Sequence, residues 1–384
     1  MKKSEYIRKP ISMKEEFVLA LKYPRTALLI ALHSLFRYLG IRPVNALLPP
    51  RLLQLYASEY CNARCSMCPV AESMKRQQKN TSIETVNMAF VKKLVSGFGF
   101  FKPSIFLTGG EPLLNKDIIS IIKYLDEKRI ITTMTTNGML LKKHAKDLVS
   151  TNISVIVVSI DGPAKIHDKN RGVKGIYDAA VEGIKEVVKE RNAIGKNFPK
   201  ININAVINSE SIGGMDHLLG LAKSLGIDGI SFQHPAFYND KVLSANKTYC
   251  SKHDIKVDVI GMLCNRDIIG KEQMKKLEKF IKKAENSESP RVFVKPFTDS
   301  LEDYYSHRLP GLLSACYTIW DAGIVRGSGD LEMCLGYRIG NILDNPVPEL
   351  WNNRHAQKIR TLVKKHKIIP ACFRCCTLSF KFRN

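Results

Sequence analysis

Several features that would place a chain in other classes of protein are missing from this sequence. The most apolar stretch, Thr26–Leu39, is shorter than the roughly 20 residues that a membrane-spanning helix needs. The first residues, Met-Lys-Lys-Ser-Glu, lack the adjoining apolar run and cleavage site of a secretory signal. Most of the ten cysteines fall in two tight groups, which is typical of metal ligands and not of a disulfide scaffold. We therefore expect a reducing, cytoplasmic compartment.

Acidic residues are also scarce compared with basic ones. The 384 residues include 36 Asp and Glu against 59 Lys and Arg, which gives a formal net charge of +23. Such a balance predicts attraction to an anionic partner, such as nucleic acid, an acidic peptide or anionic lipid headgroups. The alternative is a lysine-rich surface that is simply solvated. Apolar residues make up 45% of the chain, which is ordinary for a globular protein with an ample core.

The most informative residues are Cys61, Cys65 and Cys68, in the run Cys-Asn-Ala-Arg-Cys-Ser-Met-Cys-Pro. Three thiolates at this C-x3-C-x2-C spacing can hold three corners of a [4Fe–4S] cluster. Because iron–sulfur clusters are normally bound by four cysteines, one iron would have no protein ligand. Structural metal sites are closed, whereas catalytic ones keep a position free. The loop therefore predicts an enzyme that binds something at the open iron.

Short β-branched runs alternate with amphipathic helical stretches between Arg51 and about Pro235. The strand-like runs are Leu52–Ala57, Ser104–Leu107, Ile131–Thr136, Ser154–Ile160, Ile201–Ile207 and Gly229–Gln233. The helical patterns between them are Ile83–Val95, Ile118–Lys128, Leu141–Val149, Ile176–Arg191 and Met215–Leu225. This spacing predicts βα units on a parallel sheet, either open and doubly wound or an incomplete barrel. In both architectures the carboxyl ends of the strands form the active face, and the cysteine loop directly follows the first strand.

A glycine pair follows the second of these strands. The strand ends in Leu-Thr-Gly-Gly-Glu-Pro, with Gly109, Gly110, Glu111 and Pro112. Paired glycines at a strand end let the backbone approach a ligand closely, and Glu111 adds a carboxylate acceptor. Gly-Gly is common in loops, so its position matters more, because this turn is expected beside the cysteine loop on the same face.

Together these motifs resemble those of the radical S-adenosylmethionine (SAM) enzymes. Those enzymes carry C-x3-C-x2-C after the first strand of a partial (βα)6 barrel and Gly-Gly-Glu-Pro after the second. The resemblance covers about Leu52 to Pro235, and Met67 replaces the aromatic residue that many members have before the last cysteine. It implies an α/β fold, a partial (βα)6 TIM-like barrel. It also implies a cluster on Cys61, Cys65 and Cys68 whose open iron is chelated by SAM.

The resemblance also implies SAM contacts at the strand ends. The element Gly109–Pro112 would hold the methionine ammonium. The other implied contacts are Asn137, Ser159 and Asp161 to ribose hydroxyls or the methionine carboxylate, Arg171 to that carboxylate, and Asn204 and Val206 to the adenine. Each of these residues could instead be a turn residue or a helix cap. An electron from a reductant such as flavodoxin or ferredoxin would break the sulfonium bond, and the 5′-deoxyadenosyl radical would then abstract a substrate hydrogen.

A second cysteine group has the pattern C-x17-C-x37-C-x2-C. Its members are Cys316, Cys334, Cys372 and Cys375, with Gly329 five residues before the second of them. This group resembles the C-terminal extension of the SPASM/twitch subfamily, which implies an auxiliary [4Fe–4S] cluster that accepts or relays electrons or holds the fold. A zinc site is the alternative, and Cys376 could replace Cys375. The remaining Cys250 and Cys264 are expected to be small buried residues.

These patterns divide the chain into four parts. They are a basic helical extension (1–50), the barrel (51–240), a connector (241–300) and a small cysteine-rich α+β domain (301–384). Ser12 and Glu15 form a capping box that predicts a helix ending before Pro24. Residues 1–51 contain ten Lys and Arg against three Glu, so the extension could lie peripherally on an anionic membrane. The alternative is that it packs on the barrel or on a second subunit.

The sequence therefore predicts an enzyme that uses SAM reductively to oxidise or cross-link a peptide or a small metabolite. The N-terminal extension leaves a lipid or membrane-bound substrate as an alternative, and the net charge leaves RNA modification. The non-enzymatic alternative is a nucleic-acid-binding protein whose cysteines bind zinc or a cluster only to fold it. A structural finger, however, needs neither the three-cysteine loop nor the Gly109–Pro112 element.

Overall fold

The computed structural model describes residues 13–68, 86–235, 240–255, 269–284, 290–305, 311–312, 316–334, 336–367, 369–372 and 380–381. Its strands are β1 (Leu52–Ser58), β2 (Ser104–Gly109), β3 (Thr132–Thr136), β4 (Val155–Ser159), β5 (Lys200–Val206), β6 (Gly229–Gln233), β7 (Arg291–Lys295), β8 (Gly311–Leu312), β9 (Ala322–Val325), β10 (Asp330–Glu332), β11 (Arg338–Asn341) and β12 (Phe380–Lys381). Ten of them form one sheet in the order β11-β10-β9-β1-β2-β3-β4-β5-β6-β7, and β8 pairs with β12.

Strands β1 to β7 run parallel in chain order, which is the predicted partial barrel. All six expected strands are present, with ends that differ from the expected ones by two residues at most. The seventh strand, β7, was expected to be part of a connector, so that expectation is wrong for Arg291–Lys295. Its apolar stretch, Val-Phe-Val, is only three residues long between basic ones, too short to stand out in a lysine-rich region.

The helices are α1 (Met13–Lys22), α2 (Pro24–Tyr38), α3 (Met88–Ser96), α4 (Ile118–Glu127), α5 (Leu141–Ser150), α6 (Ala164–Arg171), α7 (Ile176–Ala193), α8 (Met215–Ser224), α9 (Asp240–Lys252), α10 (Lys271–Ala284), α11 (Leu301–Tyr305), α12 (Thr318–Asp321), α13 (Val347–Trp351) and α14 (Arg354–His366). Helix α3 begins later than the expected Ile83, because the side chain of Asn87 caps it by accepting the Phe90 N–H at 2.9 Å. Residues 83–85 lie outside the described ranges.

The main core lies between the helices and the outer face of the sheet. Helix α4 shows how the sequence builds it, because Ile118, Ile121, Ile122 and Leu125 recur at helical spacing and are all buried. They belong to the same apolar cluster as Leu107 of β2, which is fully buried. Burying each such side chain stabilises the fold by about 1.5–3 kcal/mol.

The inner face of the sheet is different. A parallel sheet that is covered on both faces has strands of continuous apolar residues. In β5, by contrast, Ile201, Ile203 and Ala205 are buried, whereas the alternate residues Asn202 and Asn204 are partly exposed. The inner face of β5 is therefore polar and partly exposed, and Val155 and Val157 of β4 lie in register with Lys200 and Asn202 on the same face.

The N-terminal helices lie at the amino ends of the barrel strands. Asp321, just before β9, has one oxygen 2.9 Å from His33 Nδ1 and accepts Arg37 with the other. His33 and Arg37 therefore fix helix α2 to the start of β9, and Tyr23 fixes it to the barrel by donating to Asp126 at 2.8 Å. Packing on the protein is one of the two arrangements expected. The predicted cap Ser12 lies outside the described residues. In the part of the chain that the structure describes, no helix combines the length and apolar character needed to cross a bilayer.

Candidate functional site

The cysteine loop begins at the carboxyl end of β1 and is fixed by hydrogen bonds to the end of α6. The Arg64 N–H donates to the Arg171 carbonyl at 2.9 Å, and the Ser66 N–H donates to the Asn170 carbonyl at 3.1 Å. Gly172 follows with φ +66°, and an added Cβ would lie 2.7 Å from the Arg64 carbonyl oxygen. Only glycine lets the chain turn this close to the loop.

The Gly109–Pro112 element lies against the first residues of the same loop. The N–H groups of Gly110 and Glu111 donate to the carbonyls of Ser58 and Tyr60 at 2.7 and 2.8 Å. A Cβ on Gly110 would lie 2.1 Å from the Tyr60 oxygen, a distance that no real Cβ adopts. The glycine pair therefore lets the carboxyl ends of β1 and β2 come into contact, and this contact fixes the position of Cys61.

Glu111 is fully buried beneath this contact. Its carboxylate accepts the Leu113 N–H at 3.0 Å, the Thr136 hydroxyl at 2.8 Å and the Asn137 N–H at 2.7 Å. Burial raises the pKa of the Glu111 carboxyl, and these three hydrogen bonds oppose that rise. The side chain thus joins the ends of β2 and β3, so a ligand would meet the main chain of this element and not the carboxylate.

Three donors point at the cysteine sulfurs. Asn137 Nδ2 lies 3.8 Å from Cys61 Sγ, and the Ala63 N–H lies 3.4 Å from the same atom. Arg171 Nη1 lies 3.8 Å from Cys65 Sγ. Donors to sulfur stabilise negative charge on thiolate ligands, so this environment fits an iron–sulfur cluster.

Burial raises the pKa of the Cys61 thiol to about 11, and nearby Glu111, Cys65 and Cys68 add to that rise. Cys61 is therefore protonated at neutral pH and must lose its proton when it binds iron. Within the described residues, no three His, Cys, Asp or Glu side chains converge as the ligands of a single ion do. Cysteines on a [4Fe–4S] cluster bind separate irons and need not converge.

The structure changes the expected roles of Asp161 and Arg171. Arg171 Nε and Nη2 donate to the two Asp161 oxygens at 2.7 and 2.9 Å, and the Val206 N–H donates to Oδ1 at 3.1 Å. Asp161 is fully buried, so a ribose hydroxyl cannot reach it. Burial would raise the pKa of this carboxyl, but Arg171 and His167 outweigh burial and lower it to about 2. The carboxylate partner of Arg171 is therefore Asp161.

Ser159, Asn204 and Val206 lie at strand ends with partly exposed side chains, and Ser159 is in register with Asn204. Their row on the inner face continues through residues that the sequence reasoning missed: Gln54, Thr133, Thr135, Asn202, Ser231 and Gln233. In this row, Asn202 Oδ1 and Ser231 Oγ have no hydrogen-bond partner among the described residues. The signal was the polar–apolar alternation in Lys-Ile-Asn-Ile-Asn; Thr-Thr-Met-Thr-Thr carries no such signal, because Thr132 and Thr136 are buried with Met134.

His234 is a buried residue without a sequence signal. It follows β6, and its Nδ1 lies 2.7 Å from the Tyr305 hydroxyl oxygen. Burial lowers the pKa of this imidazole to about 3, so the ring is neutral at physiological pH. The contact fixes α11 to the carboxyl end of β6.

The C-terminal region also reaches the cysteine loop. The Arg326 guanidinium lies 4.1 Å from the centroid of the Tyr56 ring, and Arg326 Nε donates to Glu332 at 2.9 Å. Tyr56 in turn packs with Cys68. Arg326, which follows β9, and Glu332 of β10 thus lie beside the cysteine loop. The sequence alone does not predict this contact between the C-terminal region and the cysteine loop.

Of the second cysteine group, the structure describes Cys316, Cys334 and Cys372, whereas Cys375 and Cys376 lie outside the described residues. Tyr337 donates a backbone hydrogen bond to the Cys334 carbonyl at 3.0 Å and is buried among Cys334, Cys372 and Cys250. Cys250 is buried, as expected, but it hydrogen-bonds Tyr337 beside the group.

Comparison with known proteins gives two family matches. Residues 55–206 match the model of the radical SAM superfamily. Residues 316–376 match the model of SPASM, an iron–sulfur cluster-binding domain.

Similar proteins include an Fe-coproporphyrin III synthase of Methanosarcina barkeri (strain Fusaro / DSM 804). It is 25% identical in an alignment of 349 residues that covers 84% of this chain and 81% of that protein. A probable GTP 3′,8-cyclase of Sulfurisphaera tokodaii is 28% identical over 218 residues, covering 54% of this chain and 66% of that one. The structure of Streptococcus suis SuiB bound to S-adenosylmethionine has a TM-score of 0.59 at 17% identity, over 88% of this chain and 75% of SuiB. At this identity, the similarity to SuiB shows a shared fold.

Proposed function

Because the chain belongs to the radical SAM enzymes with a SPASM-type C-terminal domain, we propose that it cleaves SAM reductively and oxidises or cross-links a peptide or small metabolite. One observation supports this most directly. The Cys61–Cys68 loop is fixed between Gly110 and Gly172 at the strand ends, on the same sheet as the partly exposed polar side chains of β5. A loop that only folded the protein would not need partly exposed polar side chains along the strands next to it.

We assign the SAM-binding cluster to Cys61, Cys65 and Cys68, and the auxiliary cluster to Cys316, Cys334, Cys372 and Cys375. When bound, the clusters and SAM supply the one-electron chemistry: cleavage of the sulfonium bond, and acceptance of an electron from the substrate radical. Asn137 and Arg171 stabilise the charge on the ligand sulfurs through their N–H groups. The reductant is a small electron carrier such as flavodoxin or ferredoxin.

The remaining site residues hold SAM from two sides. The main chain of Gly109–Pro112 takes the methionine ammonium, since the Glu111 carboxylate is already occupied. Ser159, Asn204 and Val206 meet the ribose and adenine from the inner face. Asp161 is a positioning residue, because it acts through Arg171 on the cysteine loop. Together these residues hold the nucleoside over the polar row and keep bulk water from it.

The substrate is best sought first among small metabolites. The similar protein that aligns with most of this chain is named for making an iron porphyrin. A peptide is the second candidate, because SuiB, which shares the fold, has been solved with its precursor peptide SuiA. A lipid and RNA remain further alternatives, supported only by the N-terminal extension and the net charge.

Cleavage of SAM is the first test. Anaerobically reconstituted protein should contain about eight irons in two clusters and should form 5′-deoxyadenosine from SAM and dithionite. Cys61→Ala should abolish this product, and Cys264→Ala, which removes a thiol outside both proposed ligand sets, should keep it. Cleavage that survives Cys61→Ala would disprove the assignment.

The auxiliary site needs a separate test. Cys334→Ala should lower the iron content from about eight to about four while SAM cleavage continues. Metal analysis by mass spectrometry tests the zinc alternative. Roughly one zinc and four irons in the wild-type protein would mean that the second cysteine group binds zinc and not an auxiliary cluster.

The domain boundaries are also proposals. Residues 1–50 form the extension, and the barrel begins at 51. We place its end after β7, at Lys295, and not at 240, because β7 pairs with β6 along its full length. The auxiliary domain then begins near 301. Limited proteolysis of the reconstituted protein would show whether cleavage is concentrated at these boundaries.

A further inference from the structure

Several apolar side chains of the two N-terminal helices face solvent. In α2, Thr26, Leu29 and His33 are buried against the barrel. Leu28, Leu35 and Leu39 are 46%, 47% and 55% exposed. With about 100° between successive helical residues, the exposed leucines lie opposite the buried stripe. An ordinary surface helix has the reverse arrangement.

Helix α1 carries further exposed apolar side chains. Phe17 and Leu21, one helical turn apart, are 65% and 67% exposed, and α1 packs against α2. The five residues Phe17, Leu21, Leu28, Leu35 and Leu39 are called the apolar face below. Five exposed apolar side chains on two helices that pack together favour an interaction site in a folded protein.

A group of cations borders the apolar face. The Arg25 guanidinium lies 5.1 Å from the ring centroid of Phe100, whose side chain is 60% exposed. Burial lowers the pKa of Lys102, and the nearby positive charges of Arg25 and Lys128 lower it further. Among the described residues no carboxylate is within ion-pair distance of Arg25, Lys102 or Lys128. The three cations are thus free to meet an external anion.

We propose that the apolar face and these three cations dock the protein on the surface of an anionic lipid bilayer. Apolar side chains flanked by Lys and Arg, on a helix too short to span, are the features of an interfacial helix. A second copy of this chain fits less well, because a symmetric contact would place the same cations opposite one another. An acidic protein partner would satisfy the cations but offers less reason for five exposed apolar side chains.

The attachment of α2 fixes the orientation on the bilayer. His33 and Arg37 contact Asp321, which precedes β9, and Tyr23 donates to Asp126 at the end of α4. These anchors lie at the amino ends of the strands, whereas the cysteine loop follows the carboxyl end of β1. The docked protein would therefore turn its candidate active site away from the lipid.

Vesicle binding by the full-length chain tests this proposal. We expect co-sedimentation with phosphatidylcholine–phosphatidylglycerol vesicles that weakens as salt is added, and much weaker binding to phosphatidylcholine alone. Leu28→Ser/Leu35→Ser should reduce the affinity at least roughly tenfold. Ile194→Ser/Leu343→Ser is the matched control, because both residues are exposed on other elements, and it should bind like the wild type.

The cations are tested separately. Lys102→Gln/Lys128→Gln should reduce binding to the anionic vesicles roughly tenfold or more, at about 1 kcal/mol for each charge, and leave the weak binding to neutral vesicles unchanged. Equal binding of the wild type and the leucine variant would overturn the proposal. So would a wild-type dimer that the same variant converts to monomer in light scattering, because the apolar face would then be covered by a second copy.

Discussion

Single residues outside the cysteine loop determine where the loop lies. Gly110 and Gly172 allow contacts with Tyr60 and Arg64 that a side chain would prevent. Asp161 then orients Arg171 through a bidentate pair, and Arg171 reaches Cys65. The cysteines are therefore held in position by residues that are not themselves ligands of the iron.

The first prediction concerns this close contact. Gly110→Ala places a methyl group 2.1 Å from the Tyr60 carbonyl oxygen, so the loop must shift and cluster retention should fall. We expect iron content and the cluster absorbance near 400 nm, a typical value for such clusters, to drop by about half as only the auxiliary cluster remains. Gly220→Ala, in α8 with no atom near the added methyl, should keep the iron and stabilise the fold by about 0.5–1 kcal/mol.

The second prediction concerns Asp161 and pH. The pKa of its carboxyl falls from 3.8 to about 2 on folding, so the pair stabilises the fold fully above pH 4 and the stabilisation is lost as pH falls toward 2. Asp161→Asn leaves Arg171 buried without its charge partner and should cost about 3–5 kcal/mol at pH 7. Urea unfolding at several pH values measures both effects.

The control for this prediction is an exposed pair. Glu186→Gln breaks its contact with Lys189, whose side chain is 70% exposed, and should change the free energy of unfolding by less than about 0.5 kcal/mol. A loss for Asp161→Asn that stays constant from pH 7 to below pH 3 would contradict the low pKa of Asp161.

At the scale of elements, local patterns predicted the strands and the cysteine loop but not what covers them. The six strands were recognisable because β-branched runs are local, and Cys61, Cys65 and Cys68 were recognisable because ligand spacing is local. The pairing of β7 with β6 joins residues about 60 apart in the chain, and the pairing of β9 with β1 joins residues about 270 apart, so local patterns predict neither. The burial of Glu111 could not be predicted either, because it follows from packing and not from its own sequence neighbourhood.

The third prediction concerns the attachment of α2. Asp321 is buried and joins His33, Arg37 and Arg51 to the start of β9. Asp321→Asn should remove the charge that these groups share and loosen α2, because the cations are left without their carboxylate. Hydrogen exchange of the peptides over 24–38 should quicken at least roughly tenfold if the helix loses about 1.4 kcal/mol or more.

Asp344→Asn is the control for this measurement, because Asp344 lies in an exposed turn and forms no ion pair with α2 among the described residues. Unchanged exchange in Asp321→Asn would mean that apolar contacts such as those of Leu29 hold the helix without the charges.

At the scale of the whole molecule, the C-terminal region completes the sheet that the barrel begins. Strand β9 pairs with β1 along Leu52–Leu55, and β10 and β11 continue outward. The auxiliary region is thus structurally part of the sheet and not an appended module. This explains how Arg326 comes to lie over Tyr56, beside Cys68.

The fourth prediction follows from this shared sheet. A chain that ends at residue 300 should expose the edge of β1 and the apolar surface under Trp351, which is almost fully buried in the intact protein. We expect it to aggregate through the open strand edge. Size-exclusion chromatography would show the aggregation, and a monomeric, cooperatively unfolding 1–300 chain would contradict the prediction.

The pairing of β1 with β9 also has a consequence for the newborn chain. Strand β9, the second neighbour of β1 in the sheet, is synthesised about 260 residues after β1. At elongation rates of about 5–20 residues per second, that interval lasts on the order of 10–50 seconds. Throughout it the strand that leads to the cysteine loop is paired on one side only. Cluster insertion into Cys61, Cys65 and Cys68 is therefore expected after release from the ribosome, when the strand has both neighbours.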